Sequence, residues 1–189
     1  MSSNASSGAL PFDQLQRYRL VAEIVQQVRG QDEVLDVLDV GGRTGLLRQF
    51  LPGDRIAAVD PEPPPPEAPT PRLVLGTGSA LPFADDAFDL VCAFDTLEHV
   101  PPDQRQAFVS ECVRVARRWV VLAGPYTAPA VDAAEQELAR FLREELEFDH
   151  RYLREHLENG LPERALTEQW LREGGARWSH SPTRTWSAG

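Results

Sequence analysis

Leu35-Asp36-Val37-Leu38-Asp39-Val40-Gly41-Gly42-Arg43-Thr44-Gly45 is a short apolar run that ends in an acid and breaks at once into glycine. Val37, Leu38 and Val40 suit a buried parallel strand, and the glycines let the backbone turn tightly and carry its N–H groups close to a ligand. A helix is expected next, over about 44 to 51. A second apolar run, Ile56-Ala57-Ala58-Val59, ends in Asp60, about 20 residues beyond Asp39, where a carboxylate accepts both hydroxyls of a ribose. Strand, glycine loop, helix, strand and acid make a nucleoside-binding half-site.

Working outward, the chain reads Gly76-Thr77-Gly78-Ser79-Ala80-Leu81-Pro82-Phe83, then Phe88-Asp89, the run Leu90-Val91-Cys92-Ala93-Phe94, and Asp95-Thr96-Leu97-Glu98-His99-Val100-Pro101. The order Asp-x-Gly-x-x-x-Gly, acid after the second strand, Leu-Pro-Phe, Phe-Asp and Leu-Glu-His-Val-Pro resembles the class I S-adenosylmethionine-dependent methyltransferases, in particular the broad small-molecule group called type 11. The likeness is dense over residues 12 to 125 and looser beyond.

The 189 residues suffice for one core, and 42% apolar with 25% charged residues is a globular balance. All 19 positive charges are Arg, a sign of codon bias rather than of nucleic-acid binding. The net charge of −10 disfavours a polyanionic substrate. Cys92 and Cys112 read as small buried hydrophobes in a reducing compartment. Residues 1 to 10 lack a basic start and an apolar centre, and nowhere do 18 apolar residues run together. A cytoplasmic protein with no membrane span follows as the expectation.

The element pattern predicts an α/β, Rossmann-like, doubly wound and mostly parallel sheet with helices on both faces. Behind a disordered tail over 1–10, a single domain is expected over 11–189, opened by a helix bearing Leu15, Tyr18, Val21, Ala22 and Val25. Strands are placed at 35–40, 55–59, 73–75, 89–94 and 119–123, with a helix over 103–117. Between Pro61 and Pro71, seven of eleven residues are proline, so a polyproline-like strap replaces the second crossover helix. Residues 125–162 form a helical insertion, read either as a lid over the substrate cavity, as in relatives, or as a solvated helix pair. A helix over 163–172 leads to Arg177-Trp178-Ser179, read as a sixth strand, after which little remains for a seventh. The sheet is thus expected to be incomplete at that end, or the chain truncated, with either a homodimer through the exposed edge or rapid amide exchange from about 176 onward.

The resemblance assigns donor-binding roles. Gly41, Gly42 and Gly45 pass beside the methionine part of S-adenosylmethionine, Asp39 fixes the loop or the donor amino group, and Asp60 takes the ribose hydroxyls. Thr77, Gly78 and Ser79 meet the adenine, Phe94 completes the cofactor set, and S-adenosylhomocysteine is the product. Two departures stand out. Thr77 replaces the usual acid, and Arg43 replaces a glycine, so that its guanidinium either meets the donor carboxylate or points to solvent.

Asp95, Glu98 and His99 have the i, i+3, i+4 spacing of one helical face. His99 reads as a general base, as a member of a divalent-ion trio, or as a structural residue, and His150 is a second candidate base; no metal is assigned. The acceptor is expected to be a small hydroxylated molecule. A nicotinamide dehydrogenase is disfavoured, because Gly41-Gly42-Arg43-Thr44-Gly45-Leu46 is not Gly-x-Gly-x-x-Gly and the chain has no Lys. An inactive donor-binding or partner-binding module stays open beside the enzyme.

Overall fold

A computed structural model of the chain describes residues 12–64, 66 and 70–176. The tail over 1–10 and the strand expected at 177–179 lie outside the described residues. Helix α1 (Phe12–Val28) precedes β1 (Asp36–Val40), α2 (Leu47–Phe50), β2 (Arg55–Asp60), β3 (Leu73–Leu75) and β4 (Phe88–Phe94). Then come α3 (Arg105–Val115), β5 (Ala116–Ala123), α4 (Pro129–Glu145), α5 (Arg151–Asn159) and α6 (Arg164–Glu173).

The strands pair in parallel in the order β3-β2-β1-β4-β5. The chain winds outward one way through β2 and β3, then returns to the other side of β1 with β4. That reversal opens a crevice beyond the carboxyl ends of β1 and β4, where open α/β sheets bind ligands. Side chains alternate across it: Leu90, Cys92 and Phe94 face one cluster with Val37, Tyr18, Val21, Val25 and Leu47. Val91 and Ala93 face the other, with Leu38, Val40, Phe108, Val109, Cys112 and Val115. Each fully buried Val or Leu contributes about 1.5–3 kcal/mol, against about 0–1 kcal/mol for an exposed ion pair, so these two clusters hold the fold.

Some boundaries differ from expectation. Gly45 has φ +62 and Pro52 follows Leu51, which confines α2 to four residues. The helix expected to 117 ends at Val115, because Ala116 already pairs with Phe88 and β5 starts three residues early. Arg117, exposed at the start of that strand, places its Nη1 2.8 Å from Asp89 Oδ1. The trio Asp95, Glu98 and His99 does not share a helical face: Asp95 has φ +46, and Leu97–His99 is a single 3₁₀ turn. Of the proline strap, residues 61–64, 66 and 70–71 are described and none is helical. Helix α4 has no buried residue, with Leu138 and Phe141 about half exposed, and it packs on α5. Among the described residues no helix is long and apolar enough to cross a membrane.

Candidate active site

At the end of β1 the chain turns out of the sheet at Gly41, whose N–H donates to Val59 O at 2.8 Å. Glycine is required here for two separate reasons. Gly41 has φ +85, and a Cβ would stand 2.3 Å from Thr96 Oγ1. At Gly42 a Cβ would lie 2.3 Å from the Asp39 carboxylate, so the loop rests directly on that acid. Thr96 fastens the neighbouring strand, its hydroxyl donating to Val40 O at 3.1 Å. Thr70, from the far end of the strap, donates to Arg43 O and packs against Gly45.

Asp39 is 2% exposed, and its Oδ2 has no hydrogen-bond partner among the described residues. The Cys92 thiol lies 4.0 Å from its other oxygen. Burial, and then the charge of Asp60, push this carboxyl up to about 7. Asp60 closes β2 half-buried; its Oδ1 accepts the Glu62 N–H at 2.9 Å, and burial raises its pKa as well. Two acids of raised pKa thus flank a glycine loop, the environment of a site that awaits hydrogen-bond donors or positive charge.

Arg43 neither faces solvent alone nor stands free: it pairs with Glu62, which also receives Arg151 Nη2 at 2.9 Å. Gly78 is pressed on Phe108, where a Cβ would come within 2.2 Å of the ring. Thr77 is exposed beside it, and Ser79 Oγ reaches Gln104 Oε1 at 3.2 Å and Thr77 Oγ1 at 3.4 Å. Phe94 stands at the carboxyl end of β4 with its ring edge-on to Tyr18, 5.6 Å between centroids.

The turn after β4 meets α5. His99 Nδ1 lies 3.0 Å from Glu155 Oε2, and its ring packs on Tyr152 and His156 at 5.2 and 4.7 Å. Burial, and then the neighbouring His156, lower the His99 pKa and so favour the neutral ring. His156 Nδ1 is 2.9 Å from Glu135 Oε1 of α4. Arg105 fastens the assembly, donating to Val100 O at 3.0 Å and to Gly160 O beyond α5. His150 is elsewhere: it caps α5, its Nδ1 accepting the Leu153 N–H at 3.3 Å. It lines a cavity of about 80 Å³ between α4 and α5 with Leu142, Phe148 and Leu157, well below the roughly 300 Å³ of a small-molecule site.

The histidine that joins His99 is therefore His156. Tyr152, Glu155 and His156 recur at i, i+3 and i+4, the spacing of one helix face, whereas His150 is six residues from His156.

Residues 38–123 match the family model described as a methyltransferase domain. Those residues have the class I methyltransferase fold. The chain extends beyond that match at both ends. No curated protein matches its sequence. Its fold is similar to that of magnesium protoporphyrin IX methyltransferase from Synechocystis PCC 6803, solved with bound SAH: TM-score 0.59 and 18% identity, over 95% of this chain and 85% of that one. A protein of Pyrococcus horikoshii OT3 is similar at TM-score 0.55 and 15% identity, over 87% and 82%. At these identities the likeness is one of fold.

Proposed function

We propose that this chain transfers a methyl group from S-adenosylmethionine, releasing S-adenosylhomocysteine, to a hydroxyl of a small-molecule acceptor. The observation that carries the donor half of this reading is Asp39: a buried carboxylate, one oxygen of which is unpartnered among the described residues, directly beneath the Gly41–Gly42 turn. Such a group is costly unless a cation or donor meets it, and the amino group of the donor's methionine part supplies one. Asp60 receives the ribose hydroxyls, the backbone of Gly41, Gly42 and Gly45 borders the methionine part, and Thr77, Gly78 and Ser79 border the adenine. Arg43 acts through Glu62, and Phe94 backs the crevice.

The sulfonium supplies an electrophilic methyl, so the protein has to aim a nucleophile, exclude water and accept one proton. His99 is the group proposed to accept it. A neutral imidazole beside Glu155 suits an acceptor hydroxyl, which must lose its proton as the O–CH₃ bond forms. His150, held as the cap of α5, is given no part in the chemistry. A small acceptor is favoured over a nucleic acid by the net charge of −10. Two buried free thiols agree with a cytoplasmic setting. The edge of β5 is proposed as the pairing edge of a homodimer; light scattering that finds only monomer at high concentration sinks that proposal.

The direct test is donor binding. S-adenosylhomocysteine is expected to bind and raise the melting temperature, and Asp60→Ala to weaken it by about 1.5–3 kcal/mol through loss of a charged acceptor. Calorimetry showing no heat at millimolar ligand removes the donor site. Binding without turnover across a panel of hydroxylated acceptors favours the inactive-module reading, toward which Arg43 and Thr77 lean.

A further inference from the structure

We propose that Glu98, His99 and His156 bind a divalent first-row transition ion. One ligating atom from each lies within 4.8 Å of the others. In tetrahedral coordination at about 2.0–2.2 Å such atoms lie about 3.3–3.6 Å apart, so side-chain movements of roughly 1–1.5 Å close the site. The set differs from the Asp95, Glu98 and His99 trio suggested by spacing alone, because Asp95 sits in the left-handed conformation before the turn and His156 arrives from α5.

The second observation is what stands behind the rings. His156 Nδ1 is 2.9 Å from Glu135 Oε1, which leaves Nε2 as its ligand atom, and Nε2 is buried with no hydrogen-bond partner among the described residues. His99 likewise has a carboxylate at 3.0 Å, Glu155. A carboxylate holding the far nitrogen of a ligating imidazole is the usual outer shell of a metal-binding histidine. Charge points the same way. Glu98 is 1% exposed, and three carboxylates (Glu98, Glu135, Glu155) face the two rings. Arg105 acts on Glu98, and Arg151 Nε lies 2.8 Å from Glu155 Oε1. Three carboxylates gathered around two imidazoles make a setting that favours a cation.

Two imidazoles and one carboxylate suit zinc, cobalt, manganese or iron better than magnesium or calcium. Three protein ligands leave at least one position open, the pattern of catalytic rather than structural sites. At the carboxyl end of β4 that position is suited to an acceptor oxygen, a use that rests on the methyl transfer proposed above although the site itself does not; with the ion bound both His99 nitrogens are taken, and the ion, by lowering the hydroxyl pKa so that its proton passes to water, replaces His99 as the means of deprotonation.

The test takes the full chain, stripped with EDTA and titrated with Co²⁺. One equivalent is expected to bind with the visible absorption of imidazole-ligated cobalt; Zn²⁺ should displace it and equimolar Mg²⁺ should not. His156→Ala and Glu98→Gln should each weaken Co²⁺ at least tenfold, and Glu135→Gln roughly tenfold, the usual loss for an outer-shell partner. Absence of the cobalt spectrum, or an affinity unchanged in His156→Ala, overturns the proposal. Should Glu98→Gln prove unfolded by circular dichroism, His156→Ala, on a less buried helix, decides alone. Binding of S-adenosylhomocysteine by the stripped protein is measured separately, so failure of the donor site and failure of the metal site are told apart.

Discussion

Without ligand at pH 8, Asp39→Asn is expected to be more stable than the parent chain by up to about 4 kcal/mol, and the gain should vanish at low pH. The folded pKa of Asp39 is raised from 3.8 to about 7, roughly three units at about 1.4 kcal/mol each. A carboxyl that titrates higher when folded binds its proton more tightly in the native state. It therefore costs nothing below about pH 4, costs more as pH climbs from 4 to 7, and carries its full penalty above. His99 works in the opposite sense, since its lowered pKa makes the folded state gain stability as pH rises through the ordinary histidine range. The difference between parent and variant at each pH cancels that contribution. The same buried charge should serve the donor: S-adenosylhomocysteine affinity in the parent is expected to rise up to tenfold per pH unit on approach to pH 7, and to be flatter in Asp39→Asn. Chemical denaturation at pH 5 and pH 8 checks the first part and calorimetry the second. An equal stability difference at both pH values refutes the perturbed acid.

Gly42→Ala should be among the most damaging single-methyl additions at the described glycines. The added carbon would stand 2.3 Å from the Asp39 carboxylate, which is enclosed and has nowhere to retreat. Either the loop lifts or the acid is displaced, and both remove the donor's contacts. Overpacking of this kind costs about 1–3 kcal/mol in stability, and loss of donor affinity of at least about 100-fold is expected, near 3 kcal/mol. Gly53→Ala is the matched control, because its added methyl would meet nothing within 4 Å and its effect should fall within about 0.5 kcal/mol. Similar melting temperatures and donor affinities for the two variants would refute the argument.

The parallel sheet and the glycine turn at the end of β1 are legible in the sequence because each strand has a local cause. Val37, Leu38 and Val40 before a glycine turn, and Ile56 to Val59 before Asp60, are apolar runs whose ends carry the proposed donor contacts. The boundaries around α3 and β5 are less legible, since Ala116 and Arg117 favour helix by propensity and only the pairing of Ala116 with Phe88 makes them strand. The acceptor side is hidden further. Leu97-Glu98-His99 is visible as a cluster, but its partner His156 lies 57 positions away on α5, and no local period connects the two (156 − 99). Glu62 carries no local signal for the same reason: its place between Arg43 and Arg151 exists only in three dimensions.

That carboxylate has a mechanical meaning. The helix bearing His156 is tied to the donor loop by exposed or half-exposed ion pairs through Glu62, each worth about 0–1 kcal/mol. A tie that weak is a latch rather than a bolt. Releasing it frees the Gly41–Gly45 loop from α5 at a cost of only a few-fold in population, while buried Leu153, the His99–Glu155 contact and Arg105 keep the helix itself against the turn after β4.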